Sequence, residues 1–396
     1  MTRATPRRNR PPRLGRSDRT MLGLWFWEID RVLLLFVMVL MSVGLIAVAA
    51  ASPASAHRYS DVSFQLTPLH YFWRQLIWVL LGFPTMIAVS MLPQQVARRI
   101  GLVLAGVFFL CLAAVPLFGI EANGARRWIG VGFAQFQPSE FLKPFYVVAM
   151  AWLLSLRAQD RSLPVLPLSG LITGVIAVLL MMQPDFGQTI IFASIWFAMV
   201  MVTGLSWRWV GMLAGGGAFG VTAAYIFYPV ATQRINNFLF KNGDTYQTDS
   251  AHATITAGGL FGTGPGGGEM KFRLPEAHTD YIFSVIGEEF GLVACLGIAS
   301  VFLVMAIRVF VKLLDEDDPF LVLAASGLVT QFTAQAMINM AVNIGIAPSK
   351  GMTLPFISYG GSSMIALCAG FGLLLAFTRK NPYLTRSPYV VKWSGQ

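Results

Sequence analysis

Charge is what this chain has least of. Asp, Glu, Lys and Arg together make up 12% of its 396 residues, about half the share usual in a soluble domain. Hydrophobic residues reach 55% and Phe alone numbers 30, a balance that excludes a soluble globular domain. Cysteine is nearly absent as well. Cys111, Cys295 and Cys368 all fall inside apolar runs, so they offer neither a disulfide framework nor paired metal-ligand spacing, and they read as packing residues. The glycine-dense stretch AGGLFGTGPGGGEMKFRLPEAH does not contain GxxxxGK[ST], so nothing supports a nucleotide-binding P-loop. Also missing are the short alternating segments of a membrane barrel and any repeat of fixed period. No small-residue cleavage site precedes the first long apolar run, which makes that run an anchor and not a removed leader.

Long apolar runs are what the chain has in their place. RVLLLFVMVLMSVGLIAVAAAS, from Arg31 to Ser52, crosses a hydrocarbon core of about 30 Å as a helix rising about 1.5 Å per residue. Ten such spans are expected, at 31–52, 71–92, 99–118, 139–156, 166–183, 186–205, 207–228, 281–311, 320–345 and 356–378. The fold class is therefore all-α and polytopic, with a large outer loop, about 229–280, between spans seven and eight. Residues 25–380 form one membrane domain, flanked by a disordered basic tail at 1–24 and a short tail at 381–396. The formal charge of +10 needs no nucleic acid to explain it, because an Arg- and Pro-rich tail suits anionic lipid. Lys and Arg crowd the short loops on the side of the N-terminal tail, which places both termini in the cytoplasm.

That orientation puts three unusual segments outside: GIEANGARRWIGVGFAQFQPSEFLKP, the loop up to Asp280, and APSKGMTLPFISYGGSS. In RLPEAHTDYIFSVIGEEFG, Asp280, Ser284 and Glu288 recur every four residues on one helical face, with Glu288 about 12 Å deeper than Asp280. Carboxylates at such depth cost about 2.5–3.5 kcal/mol on insertion scales, so Glu288 and Glu289 should face a cavity or a cationic partner, and they read first as a structural ion pair or as protonated, hydrogen-bonded acids. Gly287 and Gly291 have the spacing of a close helix contact. Asp280 sits at the mouth, where it serves either as a helix cap or as an anion, held by the positive helix end, that accepts a proton. Arg126 and Arg127 beside Trp128 suit either a phosphate or pyrophosphate, gripped in bidentate fashion, or lipid headgroups in general. Glu140 and Lys143 can pair three residues apart. The glycine-rich loop before Lys271 and Arg273 brings backbone N–H groups up to an anion or is merely flexible. Asp185 in QPD reads most simply as a cap, with a functional role as the alternative. SYGGSS, with Ser358 and Ser362, lines a polar groove or supplies small packing residues.

Together, GARRWI with QPSEFLK, QPDFGQT, YQTDSAHATITAGGLFGTG, LPEAHTDYIFSVIGEEFG and PSKGMTLPFISYGGSS resemble the SEDS family (shape, elongation, division and sporulation). They run in family order from about Gly124 to Ser363, and EAHTD resembles the division branch more than the elongation (RodA-like) branch. Thr245, Tyr281 and the run GPGGGEMKF depart from the family pattern. The resemblance implies a glycosyltransferase that polymerises lipid II outside the bacterial inner membrane, at the division septum. Its implied partners are a class B penicillin-binding transpeptidase of the FtsI type and other division membrane proteins. Asp280 matches the family's essential acid.

Joining an α-linked pyrophosphate donor to a 4-hydroxyl in a β-1,4 bond inverts the sugar, so one base and a stabilised leaving group suffice. Asp280 is the expected base, with His278 and Glu276 orienting it. Arg126, Arg127, Glu140, Lys143, Lys271, Arg273, Lys350, Ser358 and Ser362 are the expected substrate-binding set. No metal ligand cluster is expected and no cofactor is required, though Mg or Mn could accompany the pyrophosphate. Two rivals are a flippase for lipid II, which should carry central acids in broken, repeated helices, and an inactive scaffold for the transpeptidase.

Overall fold

In this computed structural model, residues 21–60, 65–122, 125–130, 135–160, 162–240, 245–349 and 351–379 are described. The expected tail at 381–396, most of that at 1–24, and Lys350 lie outside them. The ten expected spans all appear as helices: α2 (Arg31–Tyr59), α3 (His70–Ser90), α4 (Gln94–Phe118), α5 (Pro138–Gln159), α6 (Val165–Met182), α7 (Phe186–Val202), α8 (Trp207–Phe227), α11 (Ile282–Leu313), α12 (Pro319–Asn343) and α13 (Ser362–Phe377). Eight are long and apolar enough to cross a membrane, and α7 and α13 are shorter apolar helices. Residues 21–24, expected within the N-terminal tail, are helical and belong to α1 (Met21–Glu28). It is tied down by Trp25 Nε1 donating to Ser90 Oγ at 2.9 Å.

α5, α12 and α13 are the most buried spans, and α12 buries even its polar stripe, Gln331, Gln335, Asn339 and Asn343, which spacing by four places on one face. α8 has no buried residue. At the start of α2, Asp30 caps the helix through the Val32 and Leu33 amides, and it pairs with Arg308 at 2.9 Å and Lys312 at 2.6 Å.

Two boundaries differ most from expectation. α2 continues through Pro53 to Tyr59, where Tyr59 Oη donates to Glu276 at 2.7 Å and holds the helix end to the outer loop. The last span starts at Ser362 and not near 356, because Phe356 (φ 65°) and Gly361 (φ 56°) take left-handed backbone that no helix accepts.

The outer loop is largely built. It contains α9 (Pro229–Phe240), α10 (Tyr246–Ala257) and a 3₁₀ turn at Met270–Phe272. Between α10 and that turn the glycine-rich chain folds onto α11. There Gly291 (φ 78°, ψ −179°) breaks the helix, and the loop supplies the hydrogen bonds the break would lose. Leu292 and Val293 donate to Gly259 and Leu260 at 3.0 and 3.2 Å, while Thr263 and Gly264 donate to Glu288 and Glu289 carbonyls at 2.9 and 3.0 Å. The approach is so close that a Cβ on Gly258 would collide with the Gly287 carbonyl. The Gly287 and Gly291 spacing thus serves a close contact, made with α10 and the outer loop.

Candidate functional site

The same loop explains Glu288 and Glu289. Met270 and Lys271 amides donate to the Glu288 carboxylate at 2.7 and 3.0 Å, and the Gly266 amide donates to Glu289 at 3.0 Å. Lys271 Nζ pairs with Glu289, both side chains being almost fully buried. The glycine-rich segment does bring N–H groups to an anion, but the anion is the protein's own. Lys271, expected to meet pyrophosphate, is therefore spent inside the fold. Arg273 is exposed outside the cavity described next, its carbonyl accepting from Tyr246 Oη at 2.9 Å.

Asp280 faces a cavity of about 660 Å³ at one end of the helix bundle. It is not the cap of α11, since Tyr281 occupies that position. Its backbone is clamped from α12: Asn339 and Asn343 Nδ2 donate to the Asp280 carbonyl at 2.8 and 3.1 Å, and Asn339 also reaches the Met352 carbonyl at 2.6 Å. Asn343 Oδ1 accepts from the Ser284 amide and hydroxyl at 3.0 and 2.8 Å. Among the described residues the Asp280 carboxylate has no hydrogen bond or ion pair. Burial at the cavity wall, then the Glu276 and Asp185 carboxylates, push it up to about 7, against the pull of Arg127. The sequence reading expected the helix end to favour the anion; desolvation wins here.

Glu276, at φ 52°, accepts from Tyr59 Oη and, at 2.7 Å, from Thr279 Oγ1, and it lines the cavity. His278 does not orient Asp280 as expected. It is buried among aromatic rings, with Tyr71 at 4.0 Å and Tyr359 at 5.3 Å between centroids, and burial pushes it down to about 4 against the pull of Glu276. Its backbone carbonyl accepts from the Tyr359 amide at 2.9 Å, which joins the 351–361 segment to the outer loop.

The paired arginines part company. They lie on β2 (Ala125–Trp128), antiparallel to β1 (Ile120–Ala122), and successive strand residues point to opposite sides. Arg126 turns out to solvent, 3.4 Å from Glu121 with more than half of each side chain exposed. Arg127 turns inward, lines the cavity, and donates to the Gln183 and Pro184 carbonyls at 3.0 and 2.6 Å. Asp185 caps α7 through the Gln188 amide at 3.2 Å and accepts from Gln137 Nε2 at 3.1 Å; burial holds its carboxyl above the ordinary value.

Glu140 lines the cavity and accepts from Gln188. Lys143 lies behind it, fully buried, 2.8 Å from Glu140 and 2.9 Å from Gln335 Oε1. Lys143 thus braces the wall and does not face the space. Ser362 lines the cavity with Gly360, Gly361 and Ser363 at the start of α13, where a positive helix end favours an anion. Ser358 does not: it is buried, its hydroxyl accepting from the Leu354 amide at 2.7 Å.

Two cations that the sequence reading passed over complete the lining, Arg74 in the first turns of α3 and Arg234 in α9. Each is a lone cation in an otherwise uncharged helix, which was the available signal. Among the described residues no three His, Cys, Asp or Glu side chains gather as a metal-ligand set.

The fold and the cavity define a multi-pass membrane protein with a free carboxylate facing a polar, arginine-lined space at one end of the bundle. The sequence profile of the cell cycle protein family FTSW_RODA_SPOVE matches residues 30–383. The chain belongs to that family, in agreement with the resemblance drawn from its motifs.

Among curated relatives, the Caulobacter vibrioides protein named "Probable peptidoglycan glycosyltransferase FtsW" is 37% identical over 376 residues, covering 93% of this chain and 94% of the relative. A protein of the same name from Hydrogenovibrio crunogenus is 36% identical over 362 residues, covering 88% and 91%. Among solved structures, one described as "Structural coordination of polymerization and crosslinking by a peptidoglycan synthase complex" superposes with a TM-score of 0.70 at 29% identity, covering 88% of this chain and 97% of that one. The Thermus thermophilus rod shape determining protein RodA superposes with a TM-score of 0.64 at 29% identity, covering 88% and 96%.

The split of the arginines carries a prediction. Arg126→Ala should change glycan synthesis by no more than a few-fold, since exposed pairs contribute at most about 1 kcal/mol. Arg127→Ala should lose far more, and Arg127→Lys should recover only part, because lysine lacks the planar fork. Side-by-side rates of the three purified variants check this, and equal losses at both positions would contradict it.

Proposed function

We propose that this chain is an inverting peptidoglycan glycosyltransferase that polymerises lipid II at the outer face of the cytoplasmic membrane, during septal wall synthesis. The observation that supports it best is the Asp280 carboxylate, free of partners among the described residues and facing a cavity lined by Arg74, Arg127 and Arg234. Asp280 takes the proton of the acceptor 4-hydroxyl as that oxygen bonds to C1 of the donor sugar. The bond from C1 to the pyrophosphate oxygen breaks, and its electron pair leaves with the pyrophosphate, whose charge is met by the arginines and the start of α13. A divalent cation accompanying the pyrophosphate would neutralise charge on those same oxygens.

Both termini lie in the cytoplasm in this reading, as the bias of Lys and Arg supports. A class B transpeptidase is the proposed partner, since the similar solved structure is described as coordinating polymerization with crosslinking. Other division proteins are proposed on the names of the relatives.

Fluorescent lipid II polymerisation by the purified protein with its transpeptidase is the test. Because a base must be deprotonated and Asp280 is pushed up to about 7, the rate should be near its plateau well above that pH and fall about tenfold per unit below it. A protein that moves lipid II across vesicles without joining it, or a rate flat through pH 7, contradicts the reading.

A further inference from the structure

The cavity has a neighbour. A second, open groove of about 610 Å³ runs between α9, α10 and the segment after α12. It meets the first at Arg234 and Ser349, which line both. One face of α10 forms its wall: Thr245, Thr248, Asp249, His252 and Thr256 recur at helical spacing. Phe238 of α9 stands in the same lining. Asp249 is already oriented, its Oδ2 accepting from Thr245 Oγ1 at 2.7 Å.

The two spaces differ in charge. Three arginines line the cavity, whereas among its described lining residues the groove has Arg234 alone, at the shared end. Pyrophosphate is thereby favoured on the cavity side, and the groove offers hydroxyl, carboxylate, imidazole and one aromatic ring to a neutral, hydroxyl-rich chain. Its volume is ample for such a ligand.

We propose that the groove holds the saccharide portion of the growing glycan, a β-1,4-linked amino-sugar strand, between successive additions, a role that rests on the polymerase reading above. A strand whose pyrophosphate lies at the three arginines must lead its sugars out of the cavity, and the opening beside Arg234 and Ser349 is a polar way out. Hydrogen bonds from α10 to hydroxyl and acetamido groups slow release of the strand, so the groove acts on how many units are added before the product dissociates. Affinity differences of this kind fall mainly on the dissociation rate.

His252 and Thr256 are exposed, so Thr256→Trp, which fills the groove, and His252→Ala, which removes a sugar contact, should both fold. The full-length chain with its transpeptidase is given labelled lipid II, and both the strand-length distribution and the rate of joining the first two molecules are measured. Mean strand length should fall about tenfold in Thr256→Trp and about threefold in His252→Ala, from the loss of one or two net hydrogen bonds. That fall should be larger than any loss in the first joining. Wild-type lengths in both variants, or a first joining reduced as much as the length, overturn the groove proposal and leave the polymerase reading standing. A wild-type protein that makes no glycan overturns the polymerase reading and the groove with it.

Discussion

Asp280→Asn should lower glycan synthesis about a hundred- to ten-thousand-fold, the usual contribution of a general base, while leaving thermal stability near wild type. The stability half follows from the clamp. Asn339 and Asn343 hold the Asp280 backbone carbonyl and not its carboxylate, so the amide side chain removes the base without touching what positions it. A capping role would leave activity as well as stability near wild type, because Asn caps about as well as Asp, and Asp280 is not the cap. Asp280→Glu should retain little, since an added methylene moves the carboxylate by over an ångström from a site that needs tight positioning. Gly351 is its near neighbour, where a Cβ would lie 3.2 Å from Asp280 Oδ2. A stable Asp280→Asn protein working at the wild-type rate would remove this residue from the chemistry.

The second large effect concerns Lys271. Lys271→Ala should destabilise the outer loop by about 3–5 kcal/mol, because removing one partner of a buried pair strands the other. The stranded group is Glu289, which among the described residues would keep the Gly266 amide alone. Replacing both partners, as Lys271→Met with Glu289→Gln, should restore most of the thermal stability, since paired replacement by neutral groups of similar shape is often tolerated. A residue that neutralised pyrophosphate would behave otherwise: activity would fall at unchanged stability, and the double variant would rescue nothing. Thermal denaturation and polymerisation rates on the same detergent-purified proteins distinguish the two.

Lys271 also shows where reading the sequence ends. The ten spans were legible because an apolar run of sufficient length has few alternatives in lipid. The Glu140–Lys143 pair was legible because three residues apart on a helix means adjacent in space. The partner of Lys271 lies on another element, reached only once the glycine-rich chain folds back over the break at Gly291, and no local spacing carries that. Arg126 and Arg127 were indistinguishable as neighbours until the hairpin's register assigned one to water and the other to the cavity. His278 was read by proximity to Asp280 and turns instead into the Tyr71 and Tyr359 rings. Arg74 and Arg234 were passed over for a related reason. Each is a single cation in an unremarked helix, and only the meeting of α3, α9 and the β hairpin around one space makes them a set.

The claim at the centre is that the acceptor sugar is deprotonated by Asp280 while the donor pyrophosphate is held by arginine. A structure of the protein with its transpeptidase and an unreactive lipid II analogue tests it most directly. Pyrophosphate oxygens should lie among Arg74, Arg127 and Arg234, and an acceptor hydroxyl about 2.6–3.2 Å from the Asp280 carboxylate. Pyrophosphate bound away from these arginines, with the Asp280 carboxylate facing no sugar hydroxyl, would contradict it.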